Sequence, residues 1–179
     1  MEVAMDHFDL WRYLLDSEIE EVFALSMAQR WEDESAVLSG RMANGVLLSA
    51  VFSERASHDV ELDICGKAGR LRVACTRFDG LAFYPTDTMP GAPAERLARL
   101  VAFLRGLPRA LPRLHRAGDY RISYREQWRH FLDCIRSGAQ AHSTLQDGRR
   151  ALAVVLAAVE SAEIGKPVAV AEARPTLTA

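Results

Sequence analysis

A few small groups of side chains in this 179-residue chain have types and spacings that could do chemistry. Near the start, Glu2 and Asp6 stand four residues apart with His7 next to them. In a helix those two carboxylates share one face, so they could share a proton and one could act as a base. A solvated carboxylate titrates near about 4, so that role requires burial. His7 projects about 100° around the helix from Asp6. It reads either as a ligand contact or as a polar residue on a partly exposed helix. Tyr124 and Trp128 also stand four apart. Their rings could line a pocket, because aromatic faces stack on sugar rings, although the same spacing serves core packing. His130 and Cys134 repeat the spacing, but two ligands do not complete a metal site. His58, His115 and His142 have no convincing ligand-type partner, and no metal site is expected. The only lysines, Lys67 and Lys166, sit in turn-like contexts that do not suit a lysine polarising a substrate oxygen. The arginines between Arg109 and Arg116 could draw an anion, but a solvated loop is the plainer reading. No Ser/His/Asp or Cys/His nucleophile constellation has a recognisable local signature.

Composition sets the frame for these groups. Apolar residues make up 49% of the chain, enough for a sizeable core in a single domain over residues 1–179. A net charge of −2 with acids and bases evenly scattered gives no basic stripe for nucleic acid. No apolar run approaches the roughly 20 residues of a membrane span. The acidic start, Glu2 to Asp6, has no apolar signal core. Cys65, Cys75 and Cys134 are an odd number without CxxC spacing, so reduced thiols in a cytoplasmic protein are expected.

Periodicity predicts the elements that must hold these residues. Phe8, Trp11, Leu14 and Leu15 recur at helical spacing, with Asp9 as a cap or first-turn acid. Strands follow over Val22–Met27, Ala36–Met42 and Val46–Ser53. Glu32-Asp33-Glu34 reads as a polar break, and Asn44-Gly45 as a two-residue hairpin turn. Val60, Leu62 and Ile64 alternate with acids, and Leu71 and Val73 alternate with arginines. A turn at Lys67-Ala68 would set Asp63 opposite Arg72. Asp79-Gly80 opens a turn to a short strand, Leu81–Tyr84. After a linker over Thr86–Pro93, a helix over Glu95–Leu107 should stop at Gly106 and Pro108, leaving an irregular loop to Asp119. Ser123 to Glu126 reads as a capping box for a helix ending at Gly138. Ser143 to Gln146 reads as another, for a helix ending near Gly165, with an edge strand at Val168–Val170. The fold class is α+β: an open, mostly antiparallel sheet with helices packed on one face. The other face, partly apolar at Leu47 and Val51, needs a cover, and a second subunit is the obvious one.

Several ordered segments resemble the Gfo/Idh/MocA (glucose-fructose oxidoreductase/inositol dehydrogenase) family. Glu2 to Leu15 is similar to its D-x-x-x-H-x-x-D-L-x-R-Y-L helix, and Glu18-Ile19-Glu20-Glu21-Val22 to the strand that follows. Glu34-Ser35-Ala36 with Ala43-Asn44-Gly45, and Ile64 to Leu71, resemble its hairpin and its Gly-containing turn. Tyr124 to Ile135, Asp147-Gly148-Arg149 and Ser161 to Val168 resemble its closing helices. The resemblance implies that residues 1–179 are the family's C-terminal, substrate-binding and oligomerisation domain. On that reading the first helix here is that domain's first helix. The Rossmann fingerprint G-x-G-x-x-G and the lysine motif E-K-P are missing from the sequence.

By the same resemblance the family aspartate falls on Glu2 and its proton-accepting histidine on Asp6, both substituted, with His7 one place late. The implied function is the substrate half of an NAD- or NADP-dependent sugar or polyol oxidoreductase. Such a half binds no cofactor by itself and is inactive in redox chemistry without a Rossmann-domain subunit. His7, Tyr124 and Trp128 would contact substrate, and the open sheet face would make a homo-oligomer. The alternative is a binding or assembly module that has lost the chemistry. A weaker third reading is a small enzyme using Glu2 and Asp6 without nicotinamide.

Overall fold

In a computed structural model, residues 2–28, 34–53, 60–74, 80–87, 93–114 and 118–171 are described. They fall into two compact units, residues 1–57 with 142–179, and residues 58–141.

The first unit is built on α1 (Glu2–Leu15), β1 (Ile19–Met27), β2 (Ser35–Met42) and β3 (Leu47–Ser53). They come together with α4 (Leu145–Ile164) and β7 (Val168–Ala169), from the far end of the sequence. The sheet runs β3-β2-β1-β7, and every pair is antiparallel. Alternation along its strands decides which face is covered. Val22, Ala24, Ala36, Leu38 and Met42 are buried. On α1, Ala4, Phe8 and Trp11 recur at helical spacing and are buried with them. On α4 the buried stripe is Ala151, Val154, Ala157, Ala158 and Ser161. These small side chains let α4 lie close on β1 and on α1. The opposite sheet face leaves Leu25, Val37, Leu47 and Val51 exposed, the last two at 79% and 74%.

The second unit contains β4 (Glu61–Gly66), β5 (Gly69–Ala74), β6 (Leu81–Pro85), α2 (Pro93–Leu114) and α3 (Gly118–Ser137). Its sheet, β4-β5-β6, is also antiparallel. The expected pairing of Asp63 with Arg72 is present across the Lys67-Ala68 turn. Gly69, at φ 149°, is obligatory, because an added Cβ would meet the Tyr84 carbonyl oxygen.

The α+β, antiparallel reading holds, and several boundaries move. The single meander is divided into two sheets, with no pairing between β3 and β4 among the described residues. The Asn44 hairpin has a three-residue loop, not two: the Met42 N–H bonds the Val46 carbonyl and only Gly45 has positive φ, at 84°. That is a type I turn closed by a left-handed glycine. The expected stop at Gly106 and Pro108 is overrun, because α2 continues to Leu114. Both Pro108 and Pro112 lie inside it, where the fixed φ of proline is compatible with a helix although each removes a donor. Ser123 lies inside α3, which begins at Gly118, so it is not a cap. The second box is shifted by one residue. Thr144 is the N-cap of α4 and Asp147 the reciprocal partner, while Gly165 closes the helix at φ 65°. Asp9 is mid-helix and pairs with Arg12. Glu34, read as part of a polar break, is buried to 1% exposure, whereas Glu32 and Asp33 lie outside the described residues, as do Cys75, Asp79, His58 and His115.

Candidate functional site

The N-terminal half of α1 carries Glu2, Asp6 and His7, and helix geometry turns His7 about 100° around the axis from Asp6. Ala4, Phe8 and Trp11 take the buried stripe. Asp6 falls on the solvent side and is exposed, while His7, one position on, is half-buried at the margin of the packed face. Its imidazole meets Phe52 of β3 edge-on, with ring centroids 5.3 Å apart. Phe52 also packs edge-on against Phe8 at 6.0 Å, and Phe8 against Trp11 at 5.4 Å. The ring stack fixes the position of His7 relative to the sheet.

Phe52 and Glu34 were not singled out from sequence, although the alternation that places them was readable. On β3, Leu48, Ala50 and Phe52 are the more buried set and Leu47, Ser49 and Val51 the exposed one. Phe52 pairs with Ala36, and Glu34 stands two residues before Ala36 on the same inward alternation. The end of the sheet beneath His7 therefore combines an imidazole, an aromatic ring and a fully buried carboxylate. An imidazole is the side chain suited to exchanging a proton near neutral pH. Asp6, by contrast, is exposed.

What holds this helix is a charged hub one turn further along. Arg12 is buried to 8% exposure. It donates from Nε and Nη2 to the two oxygens of Glu18, at 2.6 and 2.9 Å. Its Nη1 donates to Asp9 Oδ1 at 2.9 Å and to the Asp147 carbonyl at 3.4 Å. The fork holds the Glu18 carboxyl below its ordinary range, and Arg150, 3.2 Å away, adds to the effect. Asp147 is also lowered, first by the Thr144 hydroxyl and backbone N–H it accepts from and then by Arg12 and Arg150. The hub ties α1 to the start of β1 and the N-terminus of α4.

Tyr124 and Trp128 stand on α3 of the second unit. Both are exposed, and Trp128 packs edge-on against Phe131 at 6.0 Å. Phe131, Leu132 and Ile135 continue the same face, also exposed, so the core-packing reading of this stripe is not met. Arg109 and Arg113 belong to α2 rather than to a loop, and His115 and Arg116 lie outside the described residues. Among the described residues no group of three His, Cys, Asp or Glu is placed to hold a metal. The described residues do not form a nicotinamide-binding fold. Every strand pair described is antiparallel, and among the described residues no glycine-rich turn leads from a strand into a helix.

Antiparallel sheets with helices, and an imidazole and aromatic rings at the first helix, define an α+β domain without a parallel, doubly wound sheet among the described residues. A family model described as "Oxidoreductase family, C-terminal alpha/beta domain" matches residues 1–170, and the chain belongs to this Gfo/Idh/MocA family. It is 26% identical over 172 residues to a myo-inositol 2-dehydrogenase of Thermotoga maritima, covering 91% of this chain and 46% of that protein. The crystal structure of the WlbA dehydrogenase from Bordetella pertussis, in complex with NADH and UDP-GlcNAcA, is similar at TM-score 0.66 and 18% identity. That match covers 94% of this chain and 46% of that one. A probable dehydrogenase from Thermotoga maritima gives TM-score 0.64 at 24% identity, over 93% of this chain and 47% of that one. The chain thus spans about half the length of the relatives it matches. No helix among the described residues is long and apolar enough to cross a membrane.

Proposed function

We propose that residues 1–179 act as one substrate-binding and oligomerisation domain of an NAD- or NADP-dependent sugar or polyol oxidoreductase. On this reading a Rossmann domain outside these residues supplies the nucleotide. The observation that carries the reading is the correspondence of nearly the whole chain to 46% of a myo-inositol dehydrogenase. Support comes from the WlbA dehydrogenase, whose structure holds both NADH and a nucleotide sugar. The substrate would lie at the N-terminal half of α1, with His7 as the proton-exchanging group. Within the second unit, Tyr124 and Trp128 present exposed rings of the kind that stack on a sugar. Glu2 and Asp6 take the family's catalytic positions but carry other residue types. The decisive experiment is fluorescence titration of NADH with this chain alone and with a Rossmann partner, followed by turnover over a polyol and sugar panel. Binding and turnover are expected only with the partner. NADH binding by the chain alone, or no turnover with the partner, would count against it.

A second reading, an assembly module without chemistry, is favoured by Asp6 at the position of the family histidine and by the exposed apolar sheet face. Polyol binding at His7 separates the two, since only the first reading requires it. On either reading, a second copy covers Leu25, Val37, Leu47 and Val51, and the protein works in the cytoplasm.

A further inference from the structure

His130 and Cys134 lie one turn apart on α3. The Cys134 sulfur is 3.6 Å from His130 Nε2 and 3.9 Å from Nδ1. The Nε2 contact is the shorter, and that nitrogen is an acceptor in the tautomer protonated at Nδ1. Just past the helix, Gly138 turns the chain at φ 71°. The Gln140 carbonyl thereby comes within 3.8 Å of the same sulfur and can accept the thiol proton at rest. Cys134 is free and half-buried, and Cys65 is free and exposed. Cys65 makes the useful contrast. It pairs across the strands with Arg70, whose guanidinium is held by Asp63. A guanidinium can steady a negative charge but cannot take a proton. A metal does not explain the pair, because no third ligand joins it among the described residues.

We propose that Cys134 and His130 form a reactive-thiol site that takes small disulfides of the glutathione type. Cys134 Sγ attacks one sulfur of the disulfide while its proton passes to His130. A new S–S bond forms to Cys134 and the original S–S bond breaks. The departing thiolate then takes the proton from His130. Cys134 ends oxidised in a mixed disulfide and the released half is reduced to a thiol, so no other oxidant is needed. His130 acts as the proton acceptor, the arrangement of nucleophile and adjacent base that activates a thiol.

The test is incubation of the full chain with oxidised glutathione at neutral pH, with timed quenching and peptide mapping by mass spectrometry. Cys134 is expected to be modified at least about tenfold faster than Cys65, despite its lower exposure. His130→Gln should cut the Cys134 rate about tenfold and leave the Cys65 rate unchanged. The proposal is overturned if Cys134 reacts no faster than Cys65, or if His130→Gln leaves its rate intact. Should the variant melt early, the wild-type ratio of the two cysteines decides alone.

Discussion

Arg12 grips Glu18 with two roughly parallel hydrogen bonds, Nε to Oε2 at 2.6 Å and Nη2 to Oε1 at 2.9 Å. The guanidinium is buried, whereas the Glu18 side chain is 51% exposed. The pair is therefore neither a surface ion pair nor a fully desolvated one. Its Coulomb energy is screened on the glutamate side, and its geometric specificity comes from the rigid fork. Arg12→Met keeps the apolar stem and removes the fork. It should cost about 1–2 kcal/mol, read as a lowered urea midpoint with unchanged slope. An unmoved midpoint would mean the hub adds nothing to folding.

The same hub fixes a pH dependence. Glu18 is held below its ordinary range by Arg12, and Asp147 by Thr144 and then the arginines. A carboxyl depressed in the folded state binds its proton more readily in the unfolded chain. Its contribution is therefore complete above the unfolded value of about 4 and is lost as pH falls through the folded value. Stability should be flat from neutral pH down to about 5 and then decline. In Arg12→Met the acid decline should be shallower. It should persist in part, because Asp63 is lowered by Arg70 and Arg72 independently. Equal acid slopes in urea titrations of the two proteins would refute the assignment to Arg12.

Ser161 ends the buried stripe of α4 at an unfinished edge of the sheet. β7 pairs with β1 only at Glu21 and Val22. The next edge-facing donor, the Ala24 N–H, bonds the Ser161 hydroxyl oxygen at 3.0 Å, and that hydroxyl donates to the Lys166 carbonyl at 2.6 Å. Ser161→Ala leaves a buried donor and an acceptor without partners. It should cost about 1–3 kcal/mol, and the Ala24 amide should lose protection in hydrogen exchange before its neighbours do. Unchanged exchange at Ala24 would show that the hydroxyl is dispensable.

Alternation and turn residues made the strands legible in sequence, because each face has one environment. Val22, Ala24, Ala36 and Leu38 declare the covered face, and Asp63 opposite Arg72 was readable from a two-residue turn. What failed depended on information carried elsewhere in the chain. Ser143-Thr144-Leu145-Gln146 and Thr144-Leu145-Gln146-Asp147 both offer a capping box locally. Only the second also sets an acid beside Arg12, a residue 135 positions away. Pro108 reads as a stop because of its missing donor, yet α2 continues past it and past Pro112 to Leu114. The surroundings of His7 were half legible: its type drew attention to it, but its neighbour Phe52 comes from a strand 45 positions later along the chain. Glu34 was misread because an acid in a polar run looks solvated, whereas the alternation from Ala36 and Leu38 extends back to it.

The uncovered sheet face makes a prediction of its own. Leu47 and Val51 stand two pleats apart on β3, exposed, with Val37 directly opposite Val51 on β2. A contiguous apolar face of this kind is stable in water when another surface covers it. Val51→Lys should leave the fold intact, since the side chain lies outside the buried core of its unit. It should also convert an assembled protein to monomer by light scattering at the same concentration. A wild-type chain that is monomeric at high concentration would remove the premise.

Asp6 and His7 offer the sharpest test of chemistry, because they are adjacent in sequence but differ in surroundings. His7 is seated against Phe52, while Asp6 faces solvent. If His7 exchanges the substrate proton in the complex with a Rossmann partner, His7→Gln should lower kcat by about 100-fold or more, the usual worth of a positioned base. Asp6→Ala should change kcat by less than about threefold, since an exposed carboxylate contributes little to a distant proton transfer. Phe52→Ala should fall between them. It keeps the imidazole but removes the ring that orients it, and small misplacements of a base cost rate steeply. The reverse order, with Asp6→Ala the damaging change, would transfer the base to the carboxylate and would require the α1 helix to turn in the working complex.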